Sequence, residues 1–292
     1  MAIFRGSGVA IITPQKNGKV DYDAMGRLVE WHIKEGTDAI VVCGTTGEAS
    51  TLTTEEHIET VRFVTEKVAK RIPVIAGTGS NNTAHALELS TECAALGVDG
   101  LLVVTPYYNK ATSKGLIRHY YTIADQVDVP IVLYSVASRT GLNITPAVAA
   151  ELKKHPNIQA IKEASGNISQ IVEMAKLVDD DFDMYSGNDD HVVPVLSVGG
   201  SGVISTVANI DPKNTHLMVQ KFFDGDLAGA REIQLAQKHL IDTIFSEVNP
   251  IPVKAAVHLL GMCDLEYRLP MCEPEPATIE RLKKEMQEYG IL

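Results

Sequence analysis

Residues 74–104, VIAGTGSNNTAHALELSTECAALGVDGLLVV, hold one full period of the pattern on which the fold turns. Two short apolar runs, Val74–Ala76 and Gly100–Val104, bracket a longer segment with helical spacing. That segment leaves through Gly97, a residue suited to a left-handed helix exit. The same alternation extends in both directions. Strands are expected at Gly8–Ile12, Ala39–Val42, Val74–Ala76, Gly100–Val104, Ile131–Tyr134, Ile158–Ile161, Phe182–Tyr185 and Gly202–Ile204. They recur at intervals of roughly 20 to 35 residues, the length of a strand-plus-helix unit. Their residues are nearly all apolar, as parallel strands covered on both faces require. Eight such units without a break in composition predict an α/β fold, a closed (β/α)8 TIM barrel rather than an open sheet.

The helices between them carry start signals. Asp21 precedes an amphipathic stretch with Met25, Leu28, Val29 and His32 on one face. Thr53 or Thr54 followed by Glu55 and Glu56 reads as an N-cap with acidic residues that suit the helix dipole. Thr145-Pro146 puts proline at the first helical position, and Gly36 marks another exit. Beyond the eighth strand the chain from Asp211 to Leu292 is mostly helical. One helix closes the barrel, and further helices are expected near Asp226–Phe245, Pro252–Leu260 and Glu275–Tyr289. The reading divides the chain into a barrel over 1–225 and a C-terminal helical appendage over 226–292.

Composition narrows the function. The 292 residues are 45% apolar and 22% charged, an ordinary globular balance. Acidic residues outnumber basic ones 37 to 26, a net charge of −11 that disfavours nucleic acid and anionic membranes as partners. No run approaches the ~18 apolar residues of a membrane span, and MAIFRGSGVAIITP reads as a first strand rather than a signal peptide. Cys43, Cys93, Cys263 and Cys272 include no CxxC pair and are expected to be reduced thiols of a cytoplasmic protein. There is no HExxH and no phosphate loop, and no two histidines stand four apart. Gly77-Thr78-Gly79 fails as a dinucleotide fingerprint at Asn82. Asp179, Asp180 and Asp181 read as a solvated turn.

In a barrel the carboxyl ends of the strands face the active site. Those ends carry Gly44-Thr45-Thr46-Gly47-Glu48, Thr105-Pro106-Tyr107-Tyr108, Tyr134 with Arg139, Lys162-Glu163, and Ser186-Gly187-Asn188-Asp189-Asp190. Most have a bland alternative: turn formation for the threonines and glycines, covering the barrel mouth for the tyrosines, helix capping for Asn188 and Asp189. Lys162 is harder to dismiss. It ends a buried strand, and Glu163 points to the opposite face of an extended chain. Burying an ammonium is costly, and the neutral amine that burial favours is a nucleophile.

Together, GVAIITP, VVCGTTGEAS, PVIAGTGSNNT, VDGLLVVTPYYNK, VLYSVASRTG, IQAIKEASGN, YSGNDD, GGSGVIS and NPIPVKAA resemble the 4-hydroxy-tetrahydrodipicolinate (dihydrodipicolinate) synthase family. That family belongs to the pyruvate-dependent class I aldolases, which include N-acetylneuraminate lyase. The resemblance runs from about Gly8 to Arg268. It implies condensation of pyruvate with L-aspartate 4-semialdehyde in the diaminopimelate route to lysine, with no metal or organic cofactor. By position, Lys162 would form the imine, with Tyr134 as its proton donor and acceptor. Thr45 and Tyr108 would complete a hydroxyl relay, Tyr108 inserting into a neighbouring subunit of a homotetramer built from tight dimers. Thr46 would hold the pyruvate carboxylate, the backbone of Ile204 and Gly187 would line the pocket, and Arg139 would hold the second substrate's carboxylate.

Ser135 and Ala137 depart from the family's Asn and Pro, and loss of the proline is expected to relax the backbone leading to Arg139. A related lyase acting on sialic acid or a 2-keto-3-deoxy sugar acid would share Lys162 and Tyr134, but Arg139 in Ser-Arg-Thr-Gly resembles the synthase branch, and sialate lyases carry Ser at the place of Thr45. A non-catalytic sensor of pyruvate-like acids would not need the full set of lysine, tyrosine and hydroxyls. The resemblance also implies a lysine-binding cavity at the tight-dimer interface. Its regulated pattern has Ser, His and Glu where this chain has Ala49, Thr54 and His85, while His57, Asn81 and Tyr107 are retained. Weak or absent inhibition by lysine is therefore expected.

Overall fold

The computed structural model describes residues 3–292. Eight parallel strands close into a barrel: β1 Gly6–Ala10, β2 Ala39–Val42, β3 Val74–Gly77, β4 Gly100–Val104, β5 Ile131–Ser135, β6 Ile158–Glu163, β7 Asp183–Ser186 and β8 Gly202–Ser205. Each pairs with the next in chain order, and Gly8 closes the ring by lying opposite Ile204 on one side and Ala39 on the other. The closure is tight at Gly202. A Cβ there would stand 1.9 Å from the carbonyl oxygen of Gly6, so only glycine fits.

Two-residue periodicity sorts the strand side chains. Ile40, Val42, Leu101, Val103, Ile131, Leu133 and Ile161 pack outward against the helices. Ala39, Val41, Leu102, Val132, Tyr134, Ala160 and Tyr185 fill the inside of the barrel. Lys162 has the parity of Ala160, which turns it inward.

The expected helix starts are present. Asp21 accepts from the backbone N–H of Ala24, and Thr53 forms a capping box with Glu56. Thr145 caps the helix that begins at Pro146. Gly36 and Gly97 have φ of +90° and +80°, as left-handed exits require.

Other boundaries differ from expectation. β1 begins at Gly6 and ends at Ala10, because the backbone N–H of Ile12 leaves the sheet to donate to the Asn209 side chain at 3.0 Å. β7 starts one residue late, since Phe182 belongs to a turn bridged to Asp179. Asp179 also pairs with Lys153. The helix expected over Asp226–Phe245 is two, Leu227–Ala236 and Lys238–Ile244. The break is Gln237, whose buried side-chain amide donates to Asp211 at 2.8 Å and Thr215 at 3.1 Å. The last two helices are Ile251–Leu259 and Pro276–Tyr289. No helix among the described residues is long and apolar enough to cross a membrane.

Candidate active site

Lys162 and Tyr134 lie directly opposite each other in the β5–β6 register, so both side chains enter the barrel at one level. The Lys162 ammonium is 4.4 Å from the centroid of the Tyr134 ring. Lys162 is 5% exposed and Tyr134 6%, so neither is open to bulk water. Tyr185 is the β7 neighbour of Lys162, but its phenol is committed below, donating to the Phe4 carbonyl at 2.7 Å. Glu163 turns away as expected and is held outside, accepting from Ser165 N–H and the Gln170 amide at 2.7 Å each.

Above Lys162 is a cavity of about 160 Å³ lined by Thr45, Thr46, Tyr134, Arg139, Lys162 and Gly187, among others. A space of this size admits a small acid of a few heavy atoms. Gly187 is required there. A Cβ would meet that of Ala164 at 2.6 Å and Lys162 Cε at 3.2 Å, so its backbone can come close to the lysine only because it has no side chain.

Thr45 and Thr46 sit in the turn after β2, bracketed by two left-handed residues that are not glycine, Cys43 (φ 53°) and Glu48 (φ 55°). Such conformations cost energy and persist where the surroundings fix them. Arg139 is exposed at the cavity mouth in a short helix, Ala137–Thr140, and has no ion-pair partner among the described residues. The backbone leading to it is not slack, despite the missing proline. Ser135 Oγ donates to Asn143 Oδ1 at 2.9 Å and accepts from Ile144 N–H at 3.0 Å. Asn143 and Gln170 bond each other, and Gln170 reaches Glu163. This chain of amides ties the strand ends behind Tyr134 and Lys162 to the loop that follows Arg139.

Ile204 and Tyr108 do not line this cavity, Tyr108 being expected at a neighbouring subunit's site rather than its own. Ile204 is buried in the inner cluster, and Thr206 two residues on lines the cavity instead. Tyr108 is 91% exposed with φ 72° and is absent from the cavity lining.

Residues that the sequence reading left without a role also build the site. Asp189 is fully buried, accepting from Ser205 Oγ at 2.5 Å and from the N–H groups of Thr206 and Val207 at 3.1 and 3.2 Å. Burial raises its pKa, while those donors and the Lys162 charge pull it down. Asn249 lines the cavity and donates to Thr46 Oγ1 at 3.0 Å. A second, wider cavity of about 500 Å³ shares Thr45, Tyr134 and Arg139 and extends to Ala49, Thr54 and His85.

Comparison with known proteins identifies the family. The model of the dihydrodipicolinate synthetase family matches residues 3–289. A protein named 4-hydroxy-tetrahydrodipicolinate synthase from Caldicellulosiruptor saccharolyticus is 56% identical over 292 residues, covering 100% of this chain and 99% of its own. A solved monomeric dihydrodipicolinate synthase variant superposes with a TM-score of 0.98 at 41% identity, over 99% of this chain and 98% of its own. The lysine-bound dihydrodipicolinate synthase of Cyanidioschyzon merolae superposes with a TM-score of 0.97 at 38% identity, over 100% of both chains.

Proposed function

The chain belongs to the dihydrodipicolinate synthetase family, and from that premise we propose that it condenses pyruvate with L-aspartate 4-semialdehyde at the cavity above Lys162. The observation that carries the assignment of roles is the inward pairing of Lys162 with Tyr134 beneath a small, hydroxyl-lined cavity.

Lys162 Nζ attacks the keto carbon of pyruvate, and the carbonyl oxygen leaves as water. The protonated imine is an electron sink, so the methyl group gives up a proton and becomes an enamine. Tyr134 lies beside the lysine and can take and return protons, with Thr45 next in a hydroxyl relay. The enamine carbon attacks the aldehyde of the second substrate. A cyclic product requires the substrate's own amine to displace Lys162 from the imine carbon, which frees the enzyme. Thr46 holds the pyruvate carboxylate, the backbone at Gly187 completes that wall, and Arg139 at the mouth holds the carboxylate of the semialdehyde. The four unpaired cysteines, three of them buried, suit a reducing cytoplasm.

Turnover followed through a coupled reductase is the direct test, and Arg139→Ala makes it specific. A charge-assisted contact truncated to alanine costs ~2–4 kcal/mol, so kcat/KM for the semialdehyde should fall roughly 30- to 10³-fold. Borohydride trapping of pyruvate should survive. If trapping falls as far as turnover does, Arg139 has another role.

Free lysine is expected to inhibit weakly or not at all. Ala49, Thr54 and His85 line the wider cavity where a cationic amine would need acceptors. His85 is 3.3 Å from Glu88, and buried His57, pushed down to about 4 by desolvation, donates to the Gly77 carbonyl. Losing one charge-assisted contact costs ~1.5–3 kcal/mol, roughly 10- to 10²-fold in affinity. Activity measured with lysine raised to millimolar levels checks this, and half-inhibition below a millimolar would contradict it.

A further inference from the structure

We propose that Asn249 and Lys254 are positioning residues for the turn Gly44–Glu48, holding it in the form that binds a carboxylate. The proposal deepens the reading above, in which Thr46 receives the carboxylate of pyruvate. Asn249 lies just before the helix Ile251–Leu259, and Lys254 lies in its first turn. They grip the turn at two points, Asn249 at Thr46 and Lys254 at Glu48.

The first contact sets the sense of a hydroxyl. Asn249 Nδ2 donates to Thr46 Oγ1 at 3.0 Å, and Asn249 and Thr46 are 5% and 2% exposed. A threonine hydroxyl has one proton. With its oxygen accepting from the amide, that proton is left to point elsewhere, and both residues line the cavity. Thr46 is thereby turned into a donor aimed at an anion. Among the described residues the buried Asn249 Oδ1 has no partner, so the contact with Thr46 alone orients the amide.

The second contact anchors the end of the turn. Glu48 Oε1 and Lys254 Nζ are 2.6 Å apart, and both side chains are fully buried. Burial pushes the Glu48 carboxyl up and the Lys254 ammonium down, while their mutual attraction opposes both shifts. Lys254 also lies 5.1 Å from the Tyr267 ring centroid. It lines neither cavity, so it is not a second nucleophile. Its partner Glu48 is one of the two strained residues that bracket Thr45 and Thr46. A buried ion pair is a poor source of net stability compared with apolar packing, but it defines one geometry sharply because neither charge tolerates separation.

The test uses the full-length enzyme and the pyruvate concentration that half-saturates borohydride trapping, beside KM for the semialdehyde and the melting temperature. In Asn249→Ala the half-saturating pyruvate concentration should rise about 10-fold, as for loss of a hydrogen bond that supports a charged contact, with KM for the semialdehyde within about twofold of wild type. Asn249→Asp should be at least as impaired, because it offers Thr46 only acceptors. Unchanged trapping in Asn249→Ala, equal shifts for both substrates, or wild-type pyruvate affinity in Asn249→Asp would each overturn the proposal for Asn249. Lys254→Met alone leaves Glu48 buried without its partner and can fail to fold. The double variant Glu48→Gln/Lys254→Met removes both charges, and it should fold with pyruvate half-saturation raised at least about threefold. Wild-type trapping in the double variant overturns the role of Lys254. A wild-type enzyme that forms no pyruvate adduct overturns the proposed function itself, and this proposal falls with it.

Discussion

Lys162→Ala should lower turnover by about 10⁴- to 10⁶-fold, the scale on which losing a covalent nucleophile acts. It should also abolish the adduct that borohydride leaves when the wild-type enzyme is reduced with pyruvate. Without the imine there is no cationic sink for the electrons of the departing methyl proton, so enamine formation stops while the cavity walls remain. The substitution should be tolerated by the fold. Lys162 makes no ion pair among the described residues, and its Cα stays in register between Tyr134 and Tyr185. The space it vacates joins a polar cavity that water can fill. Melting temperature and adduct mapping check the two halves separately. The wild-type adduct belongs on the peptide carrying Lys162. An adduct on Lys254 would overturn the assignment, although that lysine is fully buried and paired with Glu48.

The legibility of this lysine and the invisibility of others have one physical cause. Strand parity is local. Once Ala160 faces inward, Lys162 must too, and the run of apolar residues before it marks where the buried strand ends. The same parity puts Tyr134 on the inside with Val132. Helix caps are local as well, which is why Asp21, Thr53 and Thr145 could be read from neighbours within four residues. Asn249 and Lys254 act on residues 203 and 206 positions away. Asparagine before proline reads as a turn, and a lysine in a helix reads as solvated, so nothing nearby announces either contact. Gln237 was lost for a related reason: the apolar period runs through it, while its amide answers to Asp211 and Thr215 on another helix. Ser135 illustrates compensation. Its hydroxyl ties the loop after Arg139, an interaction that the missing proline at Ala137 gave no reason to expect.

Tyr108→Phe should reduce turnover by roughly 10²- to 10⁴-fold, the range for loss of a proton-transfer group, and the loss should be repairable from another chain. The motive is a tyrosine that one chain cannot explain. It is 91% exposed and held at φ 72°, a conformation that costs energy for a bulky residue, and it is absent from the cavity of its own chain. A tight two-fold dimer would bury it and deliver its phenol to the partner's Thr45, in line with the homotetramer of tight dimers that the family resemblance implies. The complementation is decisive because the two defects segregate. In a dimer of one Tyr108→Phe chain and one Lys162→Ala chain, the site that keeps its lysine receives an intact tyrosine from across the interface. Random reassortment of equal amounts makes half the dimers mixed, each with one good site, so about a quarter of wild-type activity should return. A phenol acting within its own chain would leave every site defective and restore nothing. Verified mixed dimers without activity would therefore remove Tyr108 from the relay between subunits.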